Sequence, residues 1–213
     1  MIAVSGFWAM EGFPRVSDYQ YRAIKSWVPV FDRIYLFGKA NDQVAFHNVE
    51  FIESVDYPFM SLLYLVASQS IGPATIINAD IVTASHLRGV LFKAFDSGAT
   101  AVTSQRYEFD PDVPHYNDAK VVDLGADFFC ALPEIWFKAW KEVPPWLRLG
   151  NCLWDNWLIG FLSLTCRRGF VNITGARAIF HPRHTERKRI PMDETEHDKY
   201  LKSGFGFPRA MPA

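Results

Sequence analysis

The sequence predicts an α/β sandwich with a largely parallel central sheet, and three observations carry that prediction. Short apolar runs without polar alternation, such as Ala74-Thr75-Ile76-Ile77, read as strands covered on both faces. Segments with helical spacing of apolar residues separate these runs, the order expected of parallel strands joined by crossover helices. Gly38, Gly72-Pro73, Gly98 and Pro144-Pro145 punctuate the junctions.

The elements follow in order. Ile2 to Gly6 is the first strand, and a Gly- and Pro-bearing loop through Gly12, Phe13 and Pro14 follows it. Ser17 and Asp18 are placed to cap a helix running to about Val28. Arg33–Phe37 and Val49–Ile52 are the second and third strands. The segment 61–70 has helical spacing, with Leu62, Leu65 and Val66 on one side and Leu63 and Tyr64 widening the face. Ala74–Ile77 is the fourth strand, and a helix over 85–97 turns Leu87, Val90, Leu91 and Ala94 inward until Gly98 ends it. Strands are expected at 100–104 and within 121–131, and Pro133 opens a helix through Trp140, proline being favoured in a first turn. The segment 153–164 is a further helix, followed by short extended stretches at 171–174 and 178–180. Beyond His184 the chain is polar and irregular.

A length of 213 residues suits one domain spanning 1–213 with a sizeable core. A composition of 49% hydrophobic and 21% charged residues argues against disorder. The formal net charge of −1 gives no electrostatic case for nucleic acid. Aromatics reach 15%; much of that must be core, with some available to stack on bases or sugars. The cysteines at 130, 152 and 166 have no zinc spacing and read as reduced thiols of a cytoplasmic compartment. No apolar run approaches the ~18 residues of a membrane span. The patternless end at 207–213 suggests a piece of a longer chain, with other domains of that chain as partners.

Five groups of residues could carry chemistry. Asn78-Ala79-Asp80-Ile81 puts a carboxylate at the carboxyl end of a buried strand, where open α/β sheets place ligands. Such an acid can hold a divalent cation against a diphosphate, and it can equally be an aspartate that starts a turn. In Trp154-Asp155-Asn156-Trp157, an acid stands between indoles at the first turn of an apolar helix. Burial there would raise its pKa toward that of a general base, while the same position also suits a plain helix-start aspartate. Its two indoles could form a platform for a sugar. Gly125-Ala126-Asp127-Phe128-Phe129 is the third group. His181-Pro182-Arg183-His184, just past a strand, could offer one neutral imidazole to a metal. The cations at 183, 187, 188 and 189 could meet a diphosphate, although Glu186 among them suits a solvated loop. Ser5-Gly6-Phe7-Trp8 lets backbone and rings approach a base. Neither G-x-G-x-x-G nor a Walker A pattern occurs, which argues against dinucleotide-binding and P-loop folds.

These motifs in this order, together with Ser104-Gln105-Arg106, resemble the GT-A family of nucleotide-sugar glycosyltransferases. Within it, the chain is similar to small GT-A domains of bacterial and large-virus polysaccharide-building proteins, including the first domain of a multidomain chlorella-virus glycosyltransferase. The resemblance reaches to about His184 and implies a GT-A (Rossmann-like) sandwich with a mostly parallel mixed sheet flanked by helices. It implies a UDP-sugar donor, a glycan or glycoprotein acceptor, and Mn²⁺ (or Mg²⁺). Asn78-Ala79-Asp80 stands in the place of the family's Asp-x-Asp motif, so Asp80 would ligate the metal, while Asn78 lacks the charge usual there. His181, or alternatively His184, would complete the metal site. Asp155 matches the acid that serves as base in inverting members, with Trp154 where a glutamate is usual. Ser5, Gly6 and Phe7, with Gly38, would hold the uridine, and Arg106 and Asp127 would lie near the donor sugar.

Two rival readings share parts of this inventory. A nucleotidyltransferase would share the sheet and the metal acid, but the first loop, 5–12, holds Glu11 and no lysine or arginine for a triphosphate. A non-catalytic carbohydrate-binding module would use the tryptophans and would not need Asp80, Asp155 and a late histidine together.

Overall fold

A computed structural model describes residues 1–7, 14–39, 45–54, 58–112, 116–122, 126–150 and 154–183. The strands β1 (Ile2–Gly6), β2 (Arg33–Gly38), β3 (Val49–Glu53), β4 (Ala74–Ile77), β6 (Ala101–Ser104), β9 (Phe128–Ala131) and β10 (Phe170–Asn172) form one sheet in the order β10-β6-β9-β4-β1-β2-β3. Only β9 runs against its neighbours, so the sheet is mixed and mostly parallel, as the sequence predicts. Its central strands β4, β6 and β9 are buried throughout because helices cover both faces, while the edge strand β3 has no fully buried residue. Successive residues of one strand alternate between the two layers: Ala3 packs with α1 (Pro14–Trp27) and α3 (Leu87–Asp96), and Val4 with α2 (Met60–Ser68), α4 (Pro133–Glu142) and α5 (Trp154–Cys166).

The topology fixes where a ligand can lie. The chain steps outward from β1 to β2 to β3 and then returns to pair β4 on the other side of β1. The strand order reverses between β1 and β4, and the carboxyl ends of the strands at such a reversal are where open α/β sheets take ligands. The antiparallel β9 adds to that edge, since its first residue, Phe128, pairs with Ile77 at the end of β4 and Ser104 at the end of β6.

Four short strands, β5 (Val82–Thr83), β11 (Ile179–Pro182), β7 (Tyr107–Phe109) and β8 (Lys120–Val121), form a second sheet in that order. The sequence pattern missed β5, β7 and β8. Two or three residues are too short to show alternation, and long-range pairing makes them strands. β11 extends through His181, which is therefore inside a strand and not just past one. The last turn of α1 anchors this sheet: Ser26 Oγ accepts the Thr83 N–H at 2.9 Å, and Trp27 Nε1 donates to the Ile81 carbonyl at 2.6 Å.

Other boundaries also differ from expectation. α1 starts at Pro14, so Asp18 is no cap and instead pairs with Arg22 one turn on, at 2.9 Å. α2 buries Met60, Leu63, Tyr64 and Ala67, an i, i+3, i+4, i+7 stripe, and leaves Leu62 exposed. Cys130 is buried with its thiol pushed up to about 12 by that burial. Cys152 and Leu153 lie outside the described residues. No helix among the described residues is long and apolar enough to cross a membrane.

Candidate active site at the carboxyl edge of the sheet

Asn78 follows β4 directly and Asp127 precedes β9, so the strand ladder carries them side by side. The Asn78 N–H donates to the Asp127 carbonyl at 3.0 Å, and Asn78 Nδ2 donates to Asp127 Oδ1 at 2.6 Å. The amide at position 78, where the resemblance expects an acid, thus has a structural role: it donates to Asp127, which a carboxylate could not do. The other Asp127 oxygen accepts a hydrogen bond from Arg106 Nη1. Arg106 and Asp127 are both buried, and burial alone would lower the guanidinium's pKa. Asp127, Glu108 and Asp80 outweigh that burial and hold it above its ordinary value.

His181 and Asp80 arrive from different elements. Antiparallel pairing sets Phe180 of β11 opposite Val82 of β5, so the next residue of β11 reaches the segment before β5. His181 Nε2 lies 3.2 Å from Asp80 Oδ2. On its other side, parallel pairing with β7 sets His181 beside Glu108, whose carboxylate also takes Arg106 Nη2 at 3.3 Å. The sequence reading missed Glu108. The short alternation Tyr107-Glu108-Phe109 directly after Arg106 was the available signal.

Asp155 occupies the first turn of α5. Its carboxyl is pushed up to about 6, first by burial and then by the negative charge of Asp127. The N–H groups of Asn156 and of Asp155 itself, and the Arg106 cation, pull the other way. These couplings put Asp155 on the Arg106–Asp127 side of the edge. The chain ahead of α5 is tied to the segment before α2: the Leu149 N–H donates to the Pro58 carbonyl at 3.1 Å, and Gly150 takes a φ of +83° that favours glycine.

The remaining predicted residues divide. Ser5 is fully buried, and its hydroxyl donates to the Ile77 carbonyl at 2.5 Å, tying β1 to the end of β4. The Phe7 ring is buried against the α1 layer. Gly6 lies at the end of β1, where an added methyl would crowd Leu149. A side chain on Gly38 would run into the Phe7 carbonyl oxygen, so a close backbone approach explains that glycine. Ala79 is buried between Asn78 and Asp80. The two indoles that could have formed a platform for a sugar do not form one, because Trp154 and Trp157 are both buried in the core. Trp154 packs edge-on to Phe129 at 5.7 Å, and Trp157 stacks on Phe161 at 5.2 Å. At this junction three helices and the sheet meet, and large rings fill the volume. Trp8, Gly125, His184 and the cations at 187–189 lie outside the described residues.

No protein-family model and no curated protein matches the sequence. Solved structures match the fold. The chain is similar to S. aureus TarS 1–349 in complex with UDP-GlcNAc, with a TM-score of 0.64 and 7% identity over 92% of this chain and 63% of that one. TarS 1–349 without that ligand in its description gives 0.58 and 8% over 85% and 60%. A Bacillus anthracis protein assigned as a glucose-1-phosphate thymidylyltransferase, in complex with a sucrose, gives 0.51 and 9% over 86% and 87%. The chain thus spans about three-fifths of the TarS structures. At these identities the likeness establishes the architecture, a GT-A-like, Rossmann-like α/β sandwich.

Proposed function

We propose that this chain moves a sugar from a UDP-sugar donor to a hydroxyl of a glycan or glycoprotein acceptor, in a metal-dependent reaction. The observation that carries the reading is the position of Asp155. It is a half-buried acid pushed up to about 6, beside the Arg106–Asp127 pair, at the edge that also bears Asp80 and His181. An acid of that pKa is largely ionised at neutral pH and still basic enough to take a proton as a hydroxyl attacks. The likeness to TarS bound to UDP-GlcNAc supports the choice of donor class.

Asp80 and His181 fit a divalent cation in chemical type, a carboxylate and an imidazole in contact. No cluster of three or more His, Cys, Asp or Glu suited to a metal occurs among the described residues, so the pair suits an ion that takes its other ligands from diphosphate and water. When bound, Mn²⁺ or Mg²⁺ would supply positive charge against the departing diphosphate. Asp155 accepts the proton of the acceptor hydroxyl. Asp127, fixed by Arg106 and Asn78, forms the floor beneath the donor sugar. The backbone at Gly6 and Phe7, where β1 ends beside Gly38, borders the place for the uracil.

A nucleotidyltransferase is the second reading, favoured by the near-complete mutual coverage with the thymidylyltransferase-like structure. The absence of lysine and arginine from 5–12 speaks against it. Calorimetry with UDP, with and without Mn²⁺, tests the proposal. We expect metal-dependent affinity for UDP over GDP and CMP, and its loss in Asp80→Ala with the melting temperature kept. Equal UDP affinity in parent and variant with Mn²⁺ present would remove the metal assignment. Pyrophosphate release from a nucleoside triphosphate and a sugar phosphate would select the second reading.

A further inference from the structure

Glu108 is a carboxylate that the mechanism above leaves unused, and strand register sets its place. In the parallel pairing of β7 with β11, Tyr107 stands beside Phe180, Glu108 beside His181 and Phe109 beside Pro182. Successive residues of a strand face opposite ways, so Glu108 and His181 share one face of the small sheet. The other face closes on rings: Phe180 lies 6.0 Å from Tyr107 and 4.8 Å from Tyr116, which lies 4.9 Å from Phe109. That packing holds the two strands, and with them the carboxylate and the imidazole side by side. Arg106 fastens the carboxylate further. Its Nη2 donates to Glu108 Oε1 at 3.3 Å while its Nη1 donates to Asp127, and the guanidinium is buried.

His181 is a buried ring with a carboxylate on each side. Nε2 lies 3.2 Å from Asp80 Oδ2, and Nδ1 lies 3.9 Å from Glu108 Oε1. A neutral imidazole has one N–H and one lone pair, so it donates to one carboxylate at a time. With Nε2–H toward Asp80, the lone pair is on Nδ1 and faces Glu108. A cation shared by Asp80 and Nε2 needs the opposite tautomer, with the proton on Nδ1. We propose that Glu108 is a positioning residue for His181: it accepts the Nδ1–H and so turns the Nε2 lone pair toward Asp80. The separation of 3.9 Å is longer than a hydrogen bond, and a shift of under about 1 Å closes it. Glu108 touches neither cation nor substrate in this role. Histidines that ligate metals commonly give their second N–H to a carboxylate in this way.

The inference rests on the reading of His181 as a metal ligand, and two measurements keep the two apart. ¹⁵N NMR at about pH 8, above the ordinary imidazole titration, reads which ring nitrogen of His181 carries the proton. Its signals are those that vanish in His181→Gln. In Asp80→Ala, where Nε2 has lost its acceptor, we expect the proton on Nδ1, and adding Glu108→Ala should abolish that preference. Mn²⁺ affinity in the presence of UDP, read by electron paramagnetic resonance, should fall by ~10–100-fold in Glu108→Ala. Glu108→Gln keeps an acceptor oxygen and should lose less in both measurements. Should Glu108→Ala fail to fold, Glu108→Gln carries the comparison with the parent. The same tautomer with and without Glu108 overturns the positioning role, as does Mn²⁺ binding equally well to parent and variants. A tautomer that depends on Glu108, in a protein whose UDP affinity ignores Mn²⁺, keeps the positioning role and removes the metal reading.

Discussion

Asp155 separates two roles that one residue type can fill at a helix start. The N–H groups of the first turn stabilise its anion, as at any helix N-terminus. Burial and Asp127 oppose them and prevail, leaving the carboxyl at about 6. Asp155→Asn keeps the shape and removes the basicity. We expect it to leave UDP-sugar binding nearly intact and to cut transfer by ~10²–10⁴, the usual worth of a general base. Single-turnover kinetics with saturating donor checks this, and transfer near the parental rate would reduce Asp155 to a helix-start residue. Asn78 makes the complementary point. In place of a second acid, the amide donates to Asp127 at 2.6 Å, so negative charge at this edge is spaced by hydrogen bonds.

The elements matter through where their ends fall. β1, β2, β4 and β6 all finish at one edge, and β9 starts there, which brings together residues far apart in sequence. The Phe7 N–H donates to the Phe37 carbonyl at 2.7 Å, drawing the exit of β1 onto the exit of β2. Gly38 permits that approach. Gly38→Ala should therefore force the strands apart and destabilise the fold by about 1–3 kcal/mol, the usual cost of overpacking. Thermal melts against the parent read the effect, and an unchanged melting temperature would show that the strand exits can relax. The small sheet works in the same way at shorter range, because the end of α1 fixes β5 and β5 fixes the strand that carries His181.

For the whole molecule, the Asp155 pKa sets a pH dependence of stability. Its folded value of about 6 lies above the ordinary 3.8, so the folded state holds more protons between those values. Stability from this group is present in full below about pH 4, falls as pH rises toward 6, and stays lowered above that, by up to about 3 kcal/mol. Asp155→Asn should be more stable than the parent at pH 7 and lose that advantage by pH 4. Denaturant titrations at the two values check it, and the same stability difference at both would contradict the raised pKa. Such a gain on removing an acid is what a site held at a cost to stability should show. The architecture is that of the TarS structures over about three-fifths of their length, and it is also that of a nucleotidyltransferase-like chain. One fold thus serves chains of different assigned activity, and function has to be argued from the side chains at its edge.

The sequence by itself determined the main sheet and its helices. Buried strands such as Ala74–Ile77 lack polar alternation, so pattern and burial agree there, whereas the segment of α2 showed its helical period without showing which side faces in: Met60, Leu63, Tyr64 and Ala67 are buried and Leu62 is exposed. Asp80, Asp155 and His181 were legible as candidates, as polar residues beside or within apolar runs. Tertiary structure alone decided how they meet. The pairing of β5 with β11 brings His181 to Asp80 across a separation of 101 residues, and the reversed strand β9 brings Asp127 to Asn78 and Arg106. Neither pairing leaves a periodic trace in strands of two to four residues. Tertiary packing also decided the fate of the two tryptophans beside Asp155: where α2, α4 and α5 converge on the sheet, filling volume with rings outweighs presenting them to a sugar.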